Sequence, residues 1–145
     1  MVFIIIILYI FSEVPEGYTE DVLEANDIET VVTTWEYSTP NAAPYIRDMI
    51  KLMPNTCIRD CNGRPVAWQI TYHWDESGIL YTDPAHRVKG LAKAIISRMT
   101  RKQWKRRTHV FGLTEGTNVA SLKLHKSMGF VDEAPMMLLH CRSSP

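Results

Sequence analysis

The chain has 145 residues, of which 46% are hydrophobic, 22% charged and 10% aromatic, the profile of one soluble globular domain of ordinary size. A disordered chain would be poorer in apolar residues, and no fixed period runs through the 7 glycines and 8 prolines, which excludes collagen, coiled-coil and repeat arrays. Sixteen basic side chains cancel sixteen acidic ones, but unevenly: residues 1–46 hold eight acids and no Lys or Arg, whereas nine cations and no acid lie between Asp83 and Glu115.

Val2 to Phe11 is an apolar run, too short to cross a bilayer as a helix, which takes about 20 residues. No basic residue precedes it and no small-x-small cleavage site follows, so a secretory signal is the weaker reading. A buried strand, or the remnant of a longer parent, suits Val, Ile, Tyr and Phe better. Residues 1–13 are therefore set apart from a domain spanning 14–145. Pro15-Glu16-Gly17 reads as a turn and Tyr18 to Leu23 as a short strand. Asn26 or Asp27 caps a helix whose apolar stripe is Ile28, Val31, Val32 and Trp35. Pro40-Asn41 opens a second helix with Tyr45, Ile46, Met49, Ile50 and Met53 on one face, and Pro54 stops it.

Thr56 to Arg59 and Pro65 to Tyr72 flank Asp60-Cys61-Asn62-Gly63, a hairpin with Asn-Gly turn chemistry. Trp74 to Gly78 forms the next turn and Ile79 to Thr82 the next strand. The longest helix spans roughly 89–106, with Leu91, Ile95 and Met99 in register. Val110 to Leu113 reads as a short strand, and Thr117 or Asn118 caps a helix that Gly129 ends. Phe130-Val131 and Met136 to His140 close the sheet. This order predicts an α+β fold, a mixed and mostly antiparallel sheet with helices on both faces. Cys57, Cys61 and Cys141 are odd in number and lack C-x-x-C spacing, which argues against a disulfide framework and a zinc site and for a reducing compartment.

The segment from Thr82 to Ala94 is the most informative. A strand leads into a basic loop with one glycine and then into a long helix. The start of a helix carries unpaired N–H groups and about half a positive charge, which suits phosphate. Gly90 permits close approach, Ala92 keeps the first turn narrow, and Arg87, Lys89 and Lys93 add charge at the rim. Alone, the pattern also fits an ordinary helix start. About thirty residues on come Asn118, Ser121, Gly129 and Phe130, by themselves a capped amphipathic helix with a glycine stop.

Together the two segments resemble the Gcn5-related N-acetyltransferase (GNAT) superfamily. Arg87 to Ala92 matches its [RQ]-x-x-G-x-[GA] signature, and Asn118, Ser121, Gly129 and Phe130 match its later element. The chain is most similar to the C-terminal acyl-CoA domain of animal glycine N-acyltransferases, through Gly17-Tyr18, Trp35, Tyr45-Ile46, Pro54, Cys57-Ile58, Gly63 to Trp68, Thr82, Pro84 and His86 to Gly90. That family carries a long additional N-terminal half with no counterpart in the dozen or so residues before Pro15. The resemblance implies acyl transfer from acetyl-CoA or another acyl-CoA to a small amine or amino acid such as glycine, without metal or covalent intermediate. Backbone amides of Val88, Lys89, Gly90, Leu91 and Ala92 would hold the diphosphate. The strand carrying Leu80, Tyr81 and Thr82 would run beside the pantetheine arm, one amide polarising the thioester carbonyl, and Asn118 and Ser121 would face the cofactor from across the cleft.

Amines are mostly protonated at neutral pH, so a carboxylate within reach of the nitrogen is needed. Glu76 falls on the glutamate proposed as base in that family, with Asp75 its nearest competitor and a solvated turn glutamate the plain alternative. The leaving thiolate needs a proton, and His125 stands where many relatives have a tyrosine, though a helix-face histidine is commonly structural. Tyr72, His73 and Trp74 either line the acceptor pocket or belong to the core; His109 and His140 show no ligand spacing. A second function class is a CoA-binding module, or fragment of a longer acyltransferase, without turnover. A third, nucleic-acid binding through the basic run Arg98 to Arg107, is disfavoured because cations at a helix end suit its dipole. The expected setting is intracellular, cytoplasmic or mitochondrial, with no membrane span and an open oligomeric state.

Overall fold

The computed structural model describes residues 2–6, 9–106 and 109–135. Among them, seven strands form one sheet: β1 (Val2–Ile6), β2 (Thr19–Asp21), β3 (Asn55–Arg59), β4 (Pro65–Thr71), β5 (Ser77–Thr82), β6 (Phe111–Thr114) and β7 (Phe130–Pro135). Four helices accompany them: α1 (Ile28–Thr34), α2 (Ala42–Leu52), α3 (Leu91–Trp104) and α4 (Val119–Ser127). The strands lie in the order β2-β3-β4-β5-β6-β1-β7. Pairing is antiparallel throughout except between β5 and β6, so the sheet is mixed and mostly antiparallel, as its pattern predicts. None of the helices among the described residues is long and apolar enough to cross a membrane.

Three apolar clusters hold the layers together. On one face α1 and α2 bury Ile28, Val31, Ile46 and Met49 against Cys57, Trp68 and Ile70 of β3 and β4. On the other, Leu91, Ala94 and Ile95 of α3 meet Ile58, Val66 and Ala67. A third cluster joins Ile4 and Ile6 of β1 to Ile96, Val110, Met128 and Phe130. Each fully buried Ile, Leu or Met contributes about 1.5–3 kcal/mol.

Several boundaries differ from those read in the sequence. The long helix begins at Leu91 rather than Lys89, because Gly90 has φ 84° and helical backbone cannot include it. It ends at Trp104, two residues short of Arg106. The strand expected over Tyr18 to Leu23 is confined to Thr19–Asp21, whose partners are Arg59 to Cys57. Leu23 instead donates its N–H to Asn55 Oδ1 at 2.7 Å. Neither Asn26 nor Asp27 acts as the expected simple cap: Ala25–Asp27 is a 3-10 turn in which Glu24 and Asp27 form a reciprocal capping box. β5 starts at Ser77, two residues before the expected Ile79, and β6 spans Phe111–Thr114 rather than Val110 to Leu113. Val2–Ile6 enters the sheet between β6 and β7, register Ile4↔Gly112 and Ile4↔Asp132. Met136 to His140, expected as a strand, and Cys141 lie outside the described residues.

Three cations of the basic run are engaged within the fold. Arg98 pairs with Glu20 at 2.8 Å and donates to the Ser12 carbonyl at 2.7 Å, Lys102 Nζ donates to the Asn55 carbonyl at 2.8 Å, and Arg106 lies 3.7 Å from Asp75.

Candidate active site

β5 and β6 meet at Ser77 and Gly112 and nowhere further along among the described residues. The strands part because the backbone of β5 is not regular. Ile79 has φ 46° inside it, an uncomfortable conformation for a β-branched residue, and the β4–β5 register shifts between Trp68 and Ile70. Two glycines permit the close approach at the fork. A Cβ at Gly112 would stand 3.1 Å from the Ser77 carbonyl, and one at Gly78 would overlap the Tyr72 ring.

Beyond the fork lies a cleft of about 470 Å³. Its walls bring together, from the residues anticipated in sequence, Glu76, Leu80, Tyr81, Arg87, Asn118, Ser121 and His125. A second cleft of about 220 Å³ continues from Arg87 along Thr82, Val88, Gly90, Leu91, Ala92 and Lys93. Lys89 is exposed on the same loop but lines neither, and the Leu91 side chain is buried in the core, leaving only its backbone for a ligand.

The loop is shaped by backbone rather than by side-chain caps. Asp83 Oδ1 accepts the Ala85 N–H at 2.9 Å and fixes the 3-10 turn Pro84–His86. Val88 and Gly90 both take left-handed conformations, φ 60° and 84°. Val88 is fully exposed, so its strain, of order 1–3 kcal/mol, is offset by no burial of its own. At α3 the position before the first turn is glycine, no side chain caps it, and the first turn holds no acid. The N–H groups there are open to an anion, and the nearest atom to a Cβ on Gly90 would be Pro15 Cγ at 3.9 Å. Among the described residues no other atom beyond the chain neighbours comes within 4 Å of that position.

Glu76 is buried, with 4% of its surface exposed. Its carboxylate accepts the Trp74 indole N–H and, at 3.2 Å, the Leu113 backbone N–H. Burial pushes its pKa above the ordinary carboxylate range, and the two donors only partly counter this. Asp75, its competitor in sequence, lies at φ 68° in the turn before β5 and beside Arg106, outside the cleft lining. Of the aromatic trio, Tyr72 lines the cleft. Trp74 stacks on Tyr72 with centroids 4.8 Å apart, and the Tyr45 hydroxyl lies 3.1 Å from His73 Nδ1.

Asn118 serves as the cap of α4, its Oδ1 accepting the Ser121 N–H at 3.0 Å. His125 is 7% exposed; its Nδ1 lies 2.8 Å from the Ser121 carbonyl. A carbonyl only accepts, so Nδ1 carries the proton and Nε2 presents a lone pair. Burial pushes the ring's pKa down, only partly offset by that hydrogen bond. In this neutral tautomer the Nδ1 proton anticipated for transfer is engaged with the Ser121 carbonyl.

Wall residues not anticipated as site residues include Glu36, Tyr37, Trp68 and Glu115. The Tyr37 hydroxyl donates to Glu115 Oε1 at 2.6 Å, tying the segment after α1 to the segment after β6. Nothing local in the sequence marks that pair, which stands 78 residues apart. Among the described residues no cluster of His, Cys, Asp or Glu could hold a metal ion.

Residues 57–136, more than half of the chain, match the model of the FR47-like protein family. A Drosophila protein known from its X-ray structure superposes with a TM-score of 0.84 at 17% identity, covering 91% of this chain and 47% of that one. A GCN5-related N-acetyltransferase from Kribbella flavida gives 0.66 at 17% identity, covering 90% and 54%. AAC(6')-Iy, solved with the bisubstrate analogue CoA-S-monomethyl-acetylneamine, gives 0.71 at 14% identity, covering 88% and 100%. The fold is therefore that of the GNAT enzymes, and the chain spans about half the length of the Drosophila and Kribbella proteins.

Proposed function

The chain belongs to the FR47-like family, and from that premise we propose that it transfers an acyl group from an acyl-CoA to the nitrogen of a small amine. One observation carries this reading: the uncapped start of α3 at Gly90 and the buried carboxylate of Glu76 open onto two clefts that share Arg87. Such a path suits a long ligand with an anionic end and a reactive end.

The amides from Val88 to Ala92 would hold the diphosphate, with Arg87 and Lys93 at its rim. The chain from Leu80 to Thr82, freed from β6, would offer backbone groups to the pantetheine arm and an N–H to the thioester oxygen, where negative charge develops. Glu76 would take the proton of the attacking amine. Burial holds its pKa toward neutrality, where a base is most effective. The amine nitrogen bonds to the thioester carbon, its proton passes to Glu76, and the carbon–sulfur bond breaks to release thiolate, which takes its proton from water. His125 and Asn118 shape the wall in this scheme and transfer no proton.

The finer likeness to glycine N-acyltransferases belongs to the same proposal and brings glycine forward as an acceptor to be tested. Titration calorimetry with CoA, together with release of free thiol from acetyl-CoA in the presence of amines, tests the reading. Heat and thiol release support transfer. Heat without release from any amine favours a CoA-binding module, and absence of heat overturns the proposal.

A further inference from the structure

Glu76 ends a turn that folds back on itself. The Tyr72 N–H donates to the Glu76 carbonyl and the Asp75 N–H to the Tyr72 carbonyl, each at 2.9 Å, with Asp75 at φ 68°. That closure lays the Trp74 ring flat on Tyr72, centroids 4.8 Å apart and planes 7° from parallel. His73 meets the same ring edge-on at 4.4 Å. Fixed between these neighbours, the indole directs its N–H at Glu76 Oε2.

The two side chains differ sharply in exposure. Glu76 is 4% exposed and lines the cleft, whereas Trp74 is 50% exposed and lines no part of it. The solvent-facing side of Trp74 therefore lies outside the cleft, and its covered side rests on Tyr72, His73 and the carboxylate. The Leu113 N–H holds the other oxygen of Glu76 at 3.2 Å. Each oxygen thus has one fixed donor and a lone pair to spare for a group in the cleft.

We propose that Trp74 is a positioning residue for Glu76: its N–H fixes one carboxylate oxygen, and its ring closes the carboxylate off from outside solvent, so that Glu76 exchanges protons only with what enters the cleft. This rests on the reading of Glu76 as base and goes beyond it, to the residue that governs that base. The two parts of the side chain act with opposite sign. Burial, to which the ring contributes, raises the pKa of Glu76, and the hydrogen bond from the indole lowers it. Tyr45 of α2 and Tyr72 of β4 register the same carboxylate: burial chiefly, then the charge of Glu76, holds both hydroxyls above the usual tyrosine range. The other titratable groups about the site are His73 and the Asp75–Arg106 pair at the turn, and Glu36, Tyr37, Tyr81, Arg87, Glu115 and His125 along the cleft.

Two measurements on the full chain test this. In heteronuclear NMR spectra the indole resonance missing from Trp74→Phe identifies Trp74. It is expected to shift between about pH 4 and about pH 8 as Glu76 titrates, and to stay still in Glu76→Gln. A resonance that does not move, or that moves alike in Glu76→Gln through His73, overturns the proposal whether or not the chain transfers acyl groups. The second measurement is the pH profile of kcat/KM, read as thiol release from acetyl-CoA with the amine that turns over fastest. Trp74→Phe keeps the cover and loses the donor, so its acid limb is expected to move up by about one pH unit, with most of the rate regained above it and CoA affinity unchanged. Trp74→Ala loses the cover as well, and its limb is expected below that of Trp74→Phe. Coincident limbs, or a uniform loss at every pH in Trp74→Phe, overturn the assignment. Should Trp74→Ala fail to fold, Trp74→Phe alone carries the kinetic test. Absence of thiol release with any amine overturns acyl transfer and leaves the indole titration to decide the role of Trp74.

Discussion

Glu76 accepts the backbone N–H of Leu113, 3.2 Å away, at the fork where β5 leaves β6. A continued parallel ladder would give that N–H a carbonyl. The fork gives it a carboxylate, and one structural fault thereby opens the cleft and holds that carboxylate inside it.

Glu76→Gln keeps the shape and one acceptor oxygen but cannot take a proton. Turnover at neutral pH is expected to fall by about 10²-fold or more, with CoA affinity by calorimetry unchanged. Raising the pH is expected to restore part of the rate, because the amine then loses its proton unaided. Equal loss at every pH contradicts the base role. Stability is expected to move the other way. The folded pKa of Glu76 is raised, so its contribution is present below the unfolded value of about 4.3 and is lost as pH rises through the folded one. The variant should therefore melt higher than the unaltered chain at pH 7 and close to it at pH 4.

Gly90 tests the cradle. Gly90→Asp places a side chain and a negative charge at a position with φ 84°, costing roughly 1 kcal/mol in backbone strain and repelling diphosphate. The expected result is a folded chain, by circular dichroism, that gives no heat with CoA. Gly90→Asn tolerates the left-handed conformation without the charge and should retain measurable binding. Equal affinity in both variants would place the diphosphate elsewhere.

The contrast between these two residues shows what the sequence makes legible. The Arg87 to Ala92 loop is local: strand, basic turn, glycine and helix follow one another, so the open helix start at Gly90 can be read directly. The α+β class and most elements are equally local, set by apolar periodicity and by Pro40, Pro54 and Gly129. Glu76 looks in sequence like a solvated turn glutamate, because its burial depends on Trp74 folding over it and on β6 arriving from a distant segment. The Tyr37–Glu115 contact has no local signature at all. The setting of His125 is equally hidden in the sequence. Its neighbour Ser121, one helical turn earlier, accepts its Nδ1 proton through the backbone, a contact that residue type alone does not reveal.

Gly78 is required by packing rather than by φ, since any Cβ there overlaps the Tyr72 ring. Gly78→Ala is expected to cost about 1–3 kcal/mol as Tyr72 is driven from its stack on Trp74, lowering Tm by several degrees. Adding Tyr72→Ala should restore part of what Gly78→Ala loses, a positive coupling in the double-mutant cycle. Simple additivity would show that the ring does not set the requirement.

Acid sensitivity tests the other end of the sheet. Arg59 donates Nε to Asp21 at 2.6 Å and its two terminal nitrogens to Asp27 at 3.0 and 2.8 Å, clamping β2 and the 3-10 turn to β3. Burial alone would raise the pKa of Asp27, but the Arg59 hydrogen bonds and the Glu24 N–H outweigh it and hold it below the usual value. Asp21 is lowered chiefly by its own Arg59 hydrogen bond. A depressed folded pKa gives stability that is present above the unfolded value of about 3.9 and is lost as pH falls through the folded one. Asp27→Asn leaves two of the five Arg59 hydrogen bonds facing a neutral group and is expected to destabilise the chain at pH 7 by about 1–3 kcal/mol. That deficit should narrow steadily below pH 4 as the unaltered Asp27 itself becomes protonated. A deficit constant between pH 7 and pH 3 in urea titrations would mean that Asp27 acts through shape and not through its charge.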